Sequence, residues 1–205
     1  MLIDLQDLSP NRIYFTMIQT LIPRPVAWVL SDNGDDSLNL APFSYFSGVC
    51  SKPPLVMLSI GKKPDGDIKD TRLNILERKH FVVHIAHREM MEQVTQSSMV
   101  LPHGESELAA SGLQTTPFGD FALPRISDCR VAYACELYEH HEIGAQAIIY
   151  GLVKQIYLSD DIARETDGRL QVDAKALDPI ARLGGDDYSL IGDIRTIPRP
   201  KPPAK

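Results

Sequence analysis

The feature that most constrains this chain is a hairpin signal near its start. Pro25-Val-Ala-Trp-Val-Leu-Ser31 is a short apolar run, and Asp32-Asn-Gly-Asp-Asp36 is a turn whose Asn-Gly pair tolerates positive φ. Ser37 to Ala41 then reads as the returning strand. Further strands are expected over 55–60, 81–86, 129–139 and 145–158, with Gly151 marking a bulge or bend in the last. Within 129–139 the alternation is clear: Val131, Tyr133, Cys135 and Leu137 share one face, with Arg130 and Glu136 on the other. A weaker strand is expected over 188–197. Helices are expected over 70–79, capped by Asp70, and over 88–98, 106–111 and about 174–182. Strands outnumber helices and do not alternate with them, which argues for an antiparallel barrel with attached helices over a parallel α/β sheet.

A chain of 205 residues can bury roughly 70% of its unfolded surface in one core, so residues 1–197 are read as a single domain. Pro198-Arg-Pro-Lys-Pro-Pro-Ala-Lys205 cannot enter a helix or sheet interior and reads as an extended tail. The net charge of −6 disfavours nonspecific contact with nucleic acid, although it leaves room for a local basic pocket. Met1-Leu-Ile-Asp-Leu-Gln-Asp7 lacks the basic start of a signal peptide, and no apolar run approaches the roughly 20 residues that span a bilayer. A cytoplasmic location without membrane contact is expected. Cys50, Cys129 and Cys135 are then free thiols, Cys50 reading as a small buried side chain.

Familiar catalytic signatures are missing. There is no G-x-G-x-x-G, Walker A, H-E-x-x-H or G-x-S-x-G pattern, and Pro64 spoils Gly61-Lys-Lys-Pro-Asp-Gly66 as a P-loop. His80, His84 and His87, and His140-His141-Glu142, lack metal-ligand spacing, so no metal is expected. Residues 39 to 71 carry more information. Lys69-Asp70-Thr71 opens a helix, where free N–H groups, a lysine and a hydroxyl suit a phosphate monoester. Taken alone, a plain aspartate cap beside a solvated lysine is the commoner reading. In Ala41-Pro-Phe-Ser-Tyr-Phe46, backbone amides and Ser44 suit the edge of a heterocycle. Its aromatics equally suit a core. Arg24, between Pro23 and Pro25, either reaches a phosphate or solvates the surface.

In combination these pieces resemble a known family. Arg24-Pro-Val-Ala-Trp-Val, Asn39-Leu-Ala-Pro-Phe-Ser-Tyr-Phe, Pro53-Pro-Leu-Val-Met-Leu-Ser-Ile-Gly and Lys69-Asp-Thr-Arg-Leu-Asn-Ile are similar, in order and spacing, to segments of the flavin reductase-like, FMN-binding split-barrel proteins. The resemblance covers about residues 20 to 195. It implies a mainly β fold with peripheral helices, a six-stranded antiparallel Greek-key split barrel, and a homodimer with FMN near the subunit interface. It implies that Asn39, Ala41, Pro42, Phe43, Ser44, Tyr45 and Phe46 flank the isoalloxazine ring and that Ser59, Ile60 and Gly61 lie beside the ribityl chain. Lys69, Asp70 and Thr71 would hold the phosphate, with Arg24 in reach. Leu183-Gly-Gly-Asp-Asp-Tyr188 is similar to a segment that approaches the flavin, bringing Arg182 and Tyr188. Many NAD(P)H-dependent members carry Gly-Asp-His before the glycine of the long strand. Here the stretch is Ile143-Gly-Ala-Gln146, with Gln146 at the histidine position.

The function this implies is an FMN-dependent NAD(P)H oxidoreductase, a flavin reductase in which hydride passes from the nicotinamide to flavin N5. FAD is the alternative cofactor. The cofactor supplies this chemistry, so no catalytic triad is expected and no catalytic residue is assigned. The reduced flavin would serve a partner oxygenase, free flavin or another acceptor. Two other readings stand beside it: a flavoredoxin-like electron-transfer protein with little NAD(P)H activity, and a non-enzymatic flavin-binding protein.

Overall fold

A computed structural model describes residues 1–34 and 36–200. One seven-stranded antiparallel sheet dominates it. Its strands are β1 (Ala27–Gly34), β2 (Ser37–Phe43), β3 (Phe46–Ser51), β4 (Pro54–Ile60), β5 (His80–Ile85), β6 (Val131–Ile143) and β7 (Gln146–Leu158). The spatial order is β2-β1-β5-β6-β7-β4-β3. The two edge strands, β2 and β3, are therefore consecutive in the chain, separated only by Ser44 and Tyr45. A sheet whose edges are two residues apart must curl back on itself, and the Ser59 amide donating to the Tyr45 carbonyl at 2.9 Å fastens the junction. This is a split barrel. The resemblance implies six strands, and no strand is expected over 46–51, where β3 forms the seventh.

Period-two alternation divides the buried residues between the faces. Inside the barrel lie Ala27, Val29, Val56, Leu58, Phe81, Val83, Cys135, Ala147 and Ile149, joined by Ile75. Outside, Trp28, Leu30, Val82, Ala132 and Ala134 meet Met90, Val94, Phe118 and Ile126 from the segment between β5 and β6. Covering both faces explains why β1 and β5 read as continuous apolar runs. Tyr133, Cys135 and Leu137 do share the interior face, as the alternation predicts.

Five α-helices among the described residues flank the sheet: α1 (Pro10–Thr20), α2 (Asp70–Arg78), α3 (Met91–Gln96), α4 (Glu107–Ser111) and α5 (Ala174–Leu177). The sequence reading did not find α1, although Ser9 caps it and Pro10 occupies its first turn. It also passed over the hairpin Ala163–Thr166/Arg169–Val172, whose Asp167-Gly168 turn has φ of 52° and 69°. Three expectations need correcting. The cap of α2 is Lys69, not Asp70, and it makes no side-chain capping bond. The helix expected over 174–182 stops at Leu177, since Pro179 disfavours helical geometry before it and Ala181–Arg182 instead pairs with Arg24–Pro25. Only Tyr188–Ser189 of the expected 188–197 strand forms, pairing with Ala181–Arg182.

Cys50 is exposed rather than buried, while Cys129 and Cys135 are buried, and all three are free thiols. Burial pushes both buried thiols up, out of reach of ordinary thiolate chemistry. In the first hairpin, Gly34 has φ 84° and Asp36 φ 60°; Asp35 lies outside the described residues, as do 201–205 of the tail. Residues 198–200 are exposed and belong to no helix or strand. No helix among the described residues is long and apolar enough to cross a membrane.

The pairing of β6 with β7 slips at Tyr150/Gly151, the bulge anticipated from the glycine. The reason is packing. A Cβ at Gly151 would stand 2.5 Å from the Phe81 ring and 3.3 Å from the Cys135 Cβ. Gly151→Ala is therefore expected to destabilise the fold by about 1–3 kcal/mol through overpacking. Gly48→Ala, which meets nothing within 4 Å, should change the urea midpoint far less. Equal midpoints for the two variants would refute the close-approach account.

Candidate functional site

Three adjoining hollows lie around Pro42 and the Ser44–Tyr45 corner that follows it. The largest, about 460 Å³, is lined by Pro42, Phe43, Ser44, Tyr45, Ser59, Gly61, Lys62, Lys63 and Lys69, with Tyr14 and Ile18 of α1 and Ala145 and Gln146 of the β6–β7 tip. A recess of about 90 Å³ adds Asn39, Ala41, Asp70, Thr71, Glu107 and residues 97–101. A chamber of about 270 Å³ shares Pro42, Phe43 and Ser44 with the first, and is completed by Val26, Thr95, Ser98, Arg182, Asp186 and Tyr188. Pro42 lines all three.

Thirteen of the sixteen residues singled out in the sequence line these hollows. The exceptions are Arg24, Phe46 and Ile60. Ile60 is fully buried inside the barrel, because alternation along β4 turns it inward and Ser59 and Gly61 outward. Phe46 packs against the same interior cluster. Arg24 neither solvates the surface nor lines a hollow. It is 5% exposed, and four of its N–H groups are taken by Ser44 Oγ (3.2 Å) and the carbonyls of Ile18 (2.6 Å), Leu21 (2.7 Å) and Leu183 (2.9 Å). It ties the C-terminal end of α1 and the 183–185 segment to the corner, and acts on the site by shaping it.

A buried polar network sets the phosphate-sized end. Asn39 Nδ2 donates to Thr71 Oγ1 at 2.8 Å and to Ser31 Oγ at 3.2 Å. Asn74 Nδ2 donates to the same Ser31 Oγ at 3.1 Å and to Asn33 Oδ1 at 2.8 Å. Because Thr71 Oγ1 accepts from Asn39, its own proton is left to donate elsewhere. Asp70, in the first turn of α2, is held by Lys63 Nζ at 3.1 Å and His103 Nδ1 at 2.6 Å. Lys69 forms no ion pair among the described residues, and its Nζ lies 5.4 Å from the centre of the Phe43 ring. Burial holds its ammonium below the ordinary lysine range. A desolvated cation beside the uncapped start of α2 favours an incoming anion. Glu107, whose carboxyl burial pushes up, accepts from the Leu40 amide at 3.1 Å and closes the recess.

Sequence reasoning missed Lys63, Glu107 and the 97–101 wall. Lys63 sits in a segment weighed only against the P-loop pattern, and nothing local marks the others. Trp28 Nε1 places the wall by donating to Ser97 Oγ at 2.8 Å. Gln146 lies against Gly61, with its Oε1 3.4 Å from Ser59 Oγ. The Arg72–Glu142 ion pair draws the β6–β7 tip toward α2. Arg182 stacks its guanidinium 4.7 Å from the centre of the Tyr188 ring.

Residues 19–173 match a family model described as "Flavin reductase like domain". The chain belongs to the flavin reductase-like family. An uncharacterized relative from Halalkalibacterium halodurans is 33% identical over 200 residues, covering 95% of this chain and 94% of its own. Among solved structures, nitrilotriacetate monooxygenase component B from Bacillus cereus superposes with a TM-score of 0.88 at 28% identity, covering 96% of this chain and 98% of that one. Pseudomonas fluorescens 2-nitrobenzoate 2-nitroreductase superposes with a TM-score of 0.87 at 28% identity, covering 98% and 96%.

In this flavin reductase-like chain His84 serves structure. His84 is fully buried, its Nδ1 3.1 Å from the Trp28 carbonyl and its Nε2 accepting from the Ile126 amide at 3.0 Å. No cluster of three metal-ligating side chains occurs among the described residues. Desolvation lowers His84 to about 4 from 6.5, so the folded chain holds it neutral where the unfolded chain would protonate it. Its contribution to stability is full above pH 6.5 and is lost as pH falls toward 4, at most about 3 kcal/mol. NMR should find the His84 ring neutral down to about pH 4; titration near 6.5 would refute this.

Proposed function

We propose that this chain is an FMN-dependent oxidoreductase, a flavin reductase drawing electrons from NAD(P)H, built as one domain over residues 1–197. The observation that carries the reading is Lys69. It is a half-buried cation without a carboxylate partner among the described residues, beside a helix start with no side-chain cap, and it lines a cleft of ligand size. The residues fit the group. Phe43 and Pro42 offer flat apolar contact, Ser44 and Ser59 polar edges, and Thr71 and Lys69 the phosphate contacts. The recess ends against Glu107 and residues 97–101, which favours the monoester of FMN over the longer FAD. Arg24, Phe46 and Ile60 shape this site from behind.

A bound flavin supplies two-electron acceptance from the nicotinamide donor. The chain's part is to hold the ring at the 42–45 corner and to neutralise the phosphate. The likeness to a monooxygenase component supports a partner oxygenase as one receiver of the electrons. The likeness to a nitroreductase supports a small-molecule acceptor as another. Tyr14 and Ile18 of α1 line the cleft, while Tyr14, Phe15, Met17 and Leu21 expose apolar surface. This supports a homodimer with the flavin near its interface, and a cytoplasmic setting suits that use.

Gln146 favours a second reading, an electron-transfer protein of flavoredoxin type. A neutral amide, rather than an imidazole, faces Ser59 and Gly61. Anaerobic addition of NADH or NADPH to the FMN-loaded protein decides between them, since bleaching is expected of the reductase and not of the carrier. Lys69→Ala should weaken FMN binding about 10- to 100-fold in a fluorescence titration, through loss of a charge-assisted phosphate contact, and leave riboflavin binding little changed. An unchanged FMN dissociation constant would remove the phosphate site, and a monomeric mass by sedimentation would remove the dimer.

A further inference from the structure

With the flavin placed in the 460 Å³ cleft, the 270 Å³ chamber has no occupant, although the family resemblance brings its Arg182 and Tyr188 toward the flavin. It adjoins the proposed flavin cleft through Pro42, Phe43 and Ser44, so a molecule held there stands across the corner from the flavin. We propose that it binds a small planar carboxylate of the benzoate class, with Arg182 as the carboxylate's ligand. The proposal rests on the flavin reading only for the chamber's role as the second reactant's site.

Three observations select this class of ligand. The first is size. At about 270 Å³ the chamber falls below the roughly 300–1,000 Å³ of pockets for drug-sized ligands, so it admits a single ring rather than a dinucleotide. The second is charge. Arg182 makes no ion pair among the described residues. One Nη2 hydrogen bond to the Gly185 carbonyl at 2.6 Å and the Tyr188 ring hold its guanidinium in place. A guanidinium fixed at one corner keeps its remaining N–H groups for a carboxylate, and its planar fork matches that group in two parallel bonds. The third is the wall. Val26, Pro42 and Phe43 give apolar contact for a ring, while Thr95 and Tyr188, bonded to each other at 3.0 Å, form a polar rim. Asp186 is the opposing acid on that rim. It lies beyond ion-pair distance of Arg182, so it weakens an anion's binding without neutralising the arginine.

The test is a calorimetric titration of benzoate into the FMN-loaded protein. Benzoate should bind, and benzamide, equal in shape and uncharged, should bind about tenfold more weakly. Arg182→Gln should weaken benzoate at least about tenfold and Arg182→Lys less, while Asp186→Asn should tighten it severalfold. FMN affinity is measured separately by fluorescence for each variant. Equal binding of benzoate and benzamide overturns the proposal, and does so on the wild-type chain even if an arginine variant fails to fold. Benzoate binding insensitive to Arg182→Gln also overturns it. So does loss of FMN affinity in that variant, which would return Arg182 to the flavin site. If FMN does not bind the wild-type chain, the flavin reading falls instead. Benzoate binding that depends on Arg182 in the flavin-free protein would then still uphold the chamber's assignment.

Discussion

The meeting of the sheet's two edges at Ser44 and Tyr45 is the constraint on which the rest depends. An open seven-stranded sheet would leave β2 and β3 as two exposed edges, each a row of unpaired backbone groups. Joining them by two residues forces the curl and creates one place where the ladder cannot be continuous. There Ser44 and Tyr45 lie outside the regular strand pairing, and three hollows meet at the neighbouring Pro42. The candidate site is thus a consequence of how the barrel closes. It would not survive a register change that separated the edges.

Around that corner the chain uses buried polar side chains to fix backbone, and each fixes a different wall. Arg24 gathers three carbonyls from two segments. Trp28 holds Ser97, Asn39 holds Thr71, and Glu107 takes up the Leu40 amide on the open edge of β2. Each removes an unsatisfied group that burial would otherwise penalise by about 1–3 kcal/mol. Together they place the walls before any ligand arrives. Preorganisation of this kind lowers the ordering cost of binding, and it explains why several of the polar residues that define the site do not themselves face the cleft.

Much of this was legible in the sequence, and the failures have physical causes. Strands buried on both faces, such as β1 and β5, announce themselves as apolar runs, and Gly151 announces the bulge in β7. The Lys69–Thr71 helix start was found because helix ends obey local rules. By contrast β3, of which only the first residue is even half-buried, carries no alternation to read. The single turn of α5 was overextended because pairing with Arg24–Pro25, far away in sequence, claims Ala181–Arg182. Arg24 could not be resolved between phosphate and solvent, since its partners at Ile18, Leu21 and Leu183 are set by tertiary structure alone. The same holds for Glu107 and Ser97.

The electrostatics show why overall charge is a poor guide to such a site. The chain carries a net −6, yet Lys62, Lys63 and Lys69 gather at one end of the cleft and Arg182 lines the adjoining chamber. Asp70 would cancel this field, but Lys63 and His103 hold its carboxylate at 3.1 and 2.6 Å. That arrangement leaves Lys69 with no ion-pair partner among the described residues. Burial already disfavours its charged form, so the protein without an anion holds it at a cost. An anion that enters relieves this cost as well as adding its own attraction. Occupancy of the proposed phosphate end and stability of the fold would therefore be linked through the same residue.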